Sequence, residues 1–290
     1  MTPVSHSSPS APVDGARLRA EGLTVGYDDH VVARELGVRI PDGGFTVIVG
    51  PNACGKSTLL KALARLLPPR TGRVLLNGED IAAFRSKEFA RRLGLLPQTS
   101  IAPDGITVAD LVSRGRFPHQ TLLRQWRESD EAAVADALEA TGTAELSERL
   151  VGELSGGQRQ RVWVAMVLAQ ETEVVLLDEP TSFLDIAHQF DLLDLCADLH
   201  RHRGRTLVAV LHDLNQAARY ATHLIVMSEG AVVAEGPPEA VLTSELVAEV
   251  FGLDGIVVPD PLAGTPMFVP RPRRPVAQFR APAPLSTMEA

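Results

Sequence analysis

From Phe45 the chain runs "FTVIVG", then "PNACGK", then "STLLKALARLL". The first piece is an almost unbroken apolar run, as expected of a strand buried on both faces. In the last, Leu59, Leu60, Leu63, Leu66 and Leu67 recur at helical spacing, so a helix is expected until "PPRTG" stops it. Strand, glycine loop and helix in that order constrain the fold to an α/β core. Gly50, Gly55, Lys56 and Ser57 match G-x-x-x-x-G-K-[ST] in the context that motif requires. The backbone N–H groups of such a loop face inward, and the helix presents its unpaired amides and positive end to an anion. Lys56 can reach the β- and γ-phosphates of a nucleotide, and the Ser57 hydroxyl can ligate Mg²⁺. Gly50, Pro51, Asn52, Ala53, Cys54, Gly55, Lys56, Ser57 and Thr58 are therefore candidates for the phosphate cradle. Cys54 reads as a small residue in a small space, with a helix-stabilised thiolate as the alternative. Ala53 adds a methyl group that raises the cost of any positive φ.

The 290 residues suit one or two closely joined domains. Apolar residues make up 45% and aromatics only 4%, so the core must be mainly Leu, Val and Ala. The formal charge of −8 argues against coating bulk nucleic acid, and no nucleic-acid partner is expected. Two cysteines, Cys54 and Cys196, make no disulfide framework and point to a reducing compartment. No apolar run approaches the roughly 18 residues that cross a bilayer. Residues 1–16 lack a secretory pattern and read as a disordered leader. Residues 256–290 read as a Pro-rich extension, mostly disordered toward its end.

Further strands are expected at "RLRAEGLTVGY", "VVARELGVRI", "RVLLNGEDI", "RRLGLLPQTS", "EVVLLDEP" and "RTLVAVLHD". "HLIVMSEGAVVAEG" reads as a hairpin turning at Gly230, and "PPEAVLTSELVAEVFG" as helix closing the ordered part. A helical insert is expected at about residues 100–160. The apolar strand ending in Asp178 and Glu179 is an odd choice unless a cation or a reaction is nearby. Asp178 can face the Mg²⁺ shell and Glu179 a water in line with the γ-phosphate. Gln98, after another strand, can sense Mg²⁺ or water. His212, after a third, can bond the γ-phosphate and orient that water. Tyr27, at the end of the first strand, can stack on a base. In "ELSGGQRQRVWVAMVLA", Ser155, Gly156, Gly157 and Gln158 open a helix and form a second phosphate-binding surface. One nucleotide already has its cradle, so this surface is read as serving the nucleotide of a second subunit.

"GPNACGKST" (50–58), "LLPQ" (95–98), "LSGGQ" (154–158), "VVLLDEP" (174–180), "SFLD" (182–185) and "LHD" (211–213) fall in the order and spacing of one family. Over roughly residues 18–255 the chain resembles the ATPase subunits of ATP-binding cassette (ABC) transporters. The resemblance implies a RecA-like P-loop core at 17–255 with an inserted α-helical subdomain and an antiparallel β region. It implies Mg²⁺-dependent ATP hydrolysis. Tyr27 would stack on adenine, and Lys56 and Ser57 would hold phosphate and Mg²⁺. Gln98 would couple the site to a membrane partner, and Ser155, Gly156 and Gln158 would belong to the signature. Asp178 would be the Mg²⁺-associated carboxylate, Glu179 and His212 catalytic, and Asp185 would lie in the loop crossing a dimer interface. Ala53 departs from the glycine usual in the family. The implied partners are a second ATPase subunit in an ATP-sandwich homodimer, multi-span permease subunits and, indirectly, an extracytoplasmic solute-binding protein. The implied place is the cytoplasmic face of the membrane.

"SRGRFPHQ" (113–120), "DEPTSFLDIAHQFDLLDL" (178–195) and "VLHDLNQAARYATHLIVMSEGAVVAEGPPEAVLT" (210–243) resemble the ATPases of iron(III)-siderophore importers and their vitamin B12 and haem relatives. Phe183, Leu184, His188 and Gln189 carry that likeness best. "GRFPH" itself reads either as a surface turn or as part of a membrane-subunit contact. The likeness implies iron(III)-siderophore uptake, with a vitamin B12, haem or metal-ion importer and a soluble mechanochemical ATPase as the alternatives.

Overall fold

The computed structural model describes residues 15–120, 126–182 and 184–272. Most of the expected disordered leader, the end of the Pro-rich extension and Phe183 lie outside the described residues. In chain order, the long strands β1 (Ala16–Tyr27) and β2 (His30–Pro41) precede β3 (Phe45–Val49) and α1 (Lys56–Leu63). Then come β4 (Thr71–Leu76), β5 (Glu79–Asp80), α2 (Ser86–Ala90) and β6 (Leu93–Leu96). The helical insert supplies α3 (Val108–Ser113), α4 (Glu128–Ala140) and α5 (Gly156–Ala169). β7 (Val174–Asp178), α6 (Ile186–Arg203), β8 (Thr206–Val210) and α7 (Leu214–Tyr220) return to the core. β9 (His223–Ser228), β10 (Ala231–Gly236), α8 (Pro238–Val241), α9 (Ser244–Phe251), β11 (Gly255–Pro259) and β12 (Pro266–Pro270) end the described chain.

The central sheet has the order β10-β9-β3-β8-β7-β6, parallel except for β10. Side chains of a strand alternate between faces, and each face of this sheet has its own core. Phe45, Val47, Val49, Val175, Leu177, Leu207 and Ala209 join the apolar cluster beneath α5, α6 and the insert. Ile48, Val174, Leu176, Val208 and Val210 join the other, with Leu59, Leu60 and Leu63 of α1 and with Leu18, Leu23 and Ile40. The second cluster lies under an antiparallel sheet of order β2-β1-β4-β5. Burial on both faces is why these strands read as apolar runs rather than as alternation. The architecture is a RecA-like core with a mixed sheet and a helical subdomain.

Two expectations need correction. The helix after the glycine loop stops at Leu63, not Leu67. Arg65 takes a left-handed φ of 59°, its N–H donates to Ala62 O, and the Leu66 N–H donates to Lys61 O. This is the Schellman termination usually built on glycine. The Arg65 guanidinium donates to the carbonyls of Ile81 and Phe84, which holds the turn, and Leu66 is left exposed. Order also continues past the last helix. β11 and β12 pair as an antiparallel hairpin, and Phe268 is buried in the main core.

The "GRFPH" segment forms a 3-10 turn, Arg114–His119. Arg116 is buried and donates to Asp130 (2.8 Å), Ala169 O and Glu171 (both 2.6 Å), so it ties the turn to α4 and to the end of α5. Among the described residues no helix is long and apolar enough to cross a membrane.

Candidate active site

The glycine loop bridges the C-terminal end of β3 and the first turn of α1. A Cβ on Gly50 would lie 2.1 Å from Met227 O, so only glycine fits beside β9. Gly55 caps α1 at a φ of 105°, again a glycine position. Between them Ala53 adopts a φ of 62°. Cys54 is buried, with its sulfur packed against Gly50. Lys56 is only 5% exposed, and its ammonium donates to Gly50 O and Pro51 O, both at 2.8 Å. Lys56 thus sets a buried cation within the loop, which suits the loop to an anionic ligand.

β6, β7 and β8 are neighbours in the sheet, so their C-terminal ends open onto the same place. Asp178, the last residue of β7, is buried and accepts a 2.8 Å hydrogen bond from the Ser57 hydroxyl. Burial pushes its carboxyl above the ordinary range, the Ser57 bond opposes this, and the Glu179 charge adds to the rise. Glu179 leaves the strand at a φ of 50°, which aims its carboxylate at the neighbouring strand ends. His212 Nε2 lies 2.9 Å from one Glu179 oxygen. Gln98 Nε2 donates to the other at 2.8 Å and Ser182 Oγ at 3.1 Å. Burial raises the Glu179 carboxyl, but His212, Ser182 and Gln98 outweigh it and hold the group below its usual range. Glu179 is therefore ionised at neutral pH.

A cavity of about 590 Å³ brings Asn52, Ala53, Gly55, Lys56, Ser57 and Thr58 together with Gln98, Glu179 and His212. His30 and Val32, from the turn into β2 and its start, also line it. Sequence reasoning missed both. No local pattern marks them, and they reach the cavity through the pairing of β1 with β2. Tyr27 is not among the lining residues; it is 43% exposed, with the Lys61 ammonium 5.9 Å from its ring centroid. Ser155, Gly156, Gly157 and Gln158 do not line the cavity either. Ser155 caps α5 and exchanges bonds with Gln158 in a capping box. Gly157 packs against the His188 ring, and His188 Nδ1 lies 2.6 Å from Asp185. The serine-glycine turn and the Asp185 loop thus adjoin one another.

A doubly covered parallel sheet, a phosphate loop and an acid-histidine-glutamine cluster at adjoining strand ends define a nucleotide-hydrolysing P-loop protein. The model of the family described as ABC transporter matches residues 33–182. The chain is 57% identical over 255 residues to the ferric enterobactin transport ATP-binding protein FepC of Escherichia coli (strain K12), covering 88% of this chain and 94% of that protein. It is 51% identical over 256 residues to the protein of Bacillus subtilis (strain 168) named "Probable siderophore transport system ATP-binding protein YusV", covering 88% and 93%. A solved structure of an ABC transporter in an inward-facing conformation superposes with a TM-score of 0.76 at 28% identity, covering 89% of this chain and 98% of that one. The chain belongs to the ABC transporter family, as an ATP-hydrolysing subunit that uses ATP and Mg²⁺.

Proposed function

We propose that this ATPase powers the uptake of iron(III)-siderophore through separate membrane subunits, working at the cytoplasmic face of the membrane. The observation that carries the reading is the likeness, across nearly the whole domain, to ATP-binding proteins named for ferric enterobactin and siderophore transport.

In the site, the residues from Gly50 to Thr58 cradle the phosphates, and Lys56 supplies the charge. Ser57, Asp178 and Gln98 would hold Mg²⁺ through their oxygens, and the ion would supply charge neutralisation at the phosphates. The ionised Glu179 accepts the proton of the attacking water. His212 fixes the Glu179 carboxylate and faces the γ-phosphate. Tyr27 offers its ring to the base. Ser155 to Gln158 lie outside the chain's own cavity, which supports their serving the nucleotide of a second copy, with Asp185 at the same boundary. We assign the permease contact to the groove of about 320 Å³ beside the loop that follows Gln98, lined by Ile101, Pro103, Leu150 and Arg159. A solute-binding protein then acts only through that permease.

Deletion of the gene in its native host tests the reading, with uptake of labelled ferric siderophore measured on scarce iron. Uptake should be lost, restored by the wild-type gene and not restored by Glu179→Gln. Unchanged uptake in a deletion strain without a substituting ATPase would overturn it and move vitamin B12 or haem to the front.

A further inference from the structure

His212 is followed at once by α7, a helix of seven residues. Two turns of helix have little stability of their own, so whatever grips α7 places the His212 loop. Asp213 caps the helix by accepting from the N–H groups of Asn215 and Gln216, both at 2.8 Å. The next two side chains reach in different directions. The Asn215 amide makes a backbone-like pair with Phe268 of β12: Nδ2 donates to Phe268 O at 3.2 Å and Oδ1 accepts from Phe268 N at 2.8 Å. Gln216 Nε2 donates to Gln189 Oε1 at 2.9 Å. Gln189 Nε2 in turn donates to Leu184 O at 3.1 Å and Thr181 O at 3.4 Å. Those carbonyls belong to the loop that leaves Glu179 and ends at Asp185.

The head of α7 thus joins the C-terminal hairpin, held by Asn215, to the loop behind Glu179, held by Gln216 through Gln189. The hairpin is itself anchored. Phe268 is buried in the core, and Asp260, held by the N–H groups of Leu262 and Ala263, pairs with Arg219 one turn further along α7 at 2.6 Å. A cavity of about 310 Å³ lies at the junction of α6, α7 and the hairpin, against Ile186, Gln189, Asn215 and Arg219. Beside that groove, these hydrogen bonds act together with the packing of Ala217 and Ala218 in the main core to fix the register of the elements.

We propose that Asn215, Gln216 and Gln189 are positioning residues for hydrolysis: they hold the His212 loop and the 181–185 loop in one mutual register, with the C-terminal hairpin as the fixed point. This rests on the reading that the Glu179–His212 pair performs hydrolysis.

The test uses the full chain, with Asn215→Ala, Gln216→Leu, Gln189→Leu and the double variant of the two glutamines. Each bond lost should lower kcat by about 5–10-fold while KM and ATP binding stay within about twofold. The glutamine double variant should be no slower than its slower single, because both substitutions cut the same connection. Asn215→Asp keeps the acceptor for the Phe268 N–H but sets a second oxygen against Phe268 O, so it should restore only part of the rate lost in Asn215→Ala. Amide exchange in Asn215→Ala should quicken at residues 181–184 as well as at 212–216, a spread that a merely local packing defect does not produce. Glu179→Gln serves as the reference. If it is inactive while Asn215→Ala and Gln189→Leu turn over normally, the positioning proposal fails and the hydrolytic reading stands. If Glu179→Gln is fully active, the hydrolytic reading itself fails. Rate losses in the glutamine variants that multiply rather than saturate would also overturn the proposal.

Discussion

Ala53 carries backbone strain in the phosphate loop. Its φ of 62° is the conformation that an L residue adopts at a cost and glycine adopts freely. Ala53→Gly should therefore raise the unfolding free energy by about 0.5–1 kcal/mol in urea titration, the relief exceeding the extra freedom of the unfolded chain. A lower stability would show that the methyl group contributes packing that outweighs the strain. The sequence marks the loop residues plainly, because each bears a chemical duty at fixed spacing after a strand. His30 and Val32 carry no such mark. They reach the cavity because the β1–β2 hairpin folds back over the loop, a long-range placement that no local pattern encodes.

Between elements, Arg17 joins the antiparallel sheet to the central one. It donates to Asp42 in the turn before β3 and to Glu173 (2.5 Å) just before β7. The Arg17 bond holds the Asp42 carboxyl below its ordinary value of 3.8 against the opposing effect of burial, with Thr206 and the Gly43 N–H helping. A depressed carboxyl contributes stability that is fully present above its unfolded value and is lost as pH falls through the folded one. Asp42→Asn should thus cost about 1 kcal/mol near neutrality, and the gap to wild type should close below about pH 4. A gap that persists unchanged at about pH 3 would contradict the ion pair. Element boundaries are legible where apolar period and turn residues agree, as from β6 to β10. They fail at α1, whose leucine pattern continues through Leu67 while a left-handed Arg65 ends the helix at Leu63. They fail again in the C-terminal extension, where prolines suggest the absence of packed structure. In the hairpin those prolines stand at the strand ends, Pro259 opposite Pro266 and Pro270 opposite Gly255, where a missing N–H costs little.

At the scale of the molecule, the hydrolytic cluster and the serine-glycine turn occupy different parts of one chain. Ser155 to Gln158 adjoin Asp185 and His188, and none of the four lines the nucleotide cavity. In the proposed assembly a second copy supplies the missing side, so ATP should hold two chains together until Glu179 acts. The cargo leaves no comparable trace, because in the proposed assembly it passes through other polypeptides. Light scattering of the Glu179→Gln protein at micromolar concentration, with and without saturating ATP, tests the assembly directly. The expected result is a monomer without nucleotide and a stable dimer with ATP, lost again when Ser155 is also replaced by Arg. A Glu179→Gln chain that binds ATP yet stays strictly monomeric would contradict the shared site.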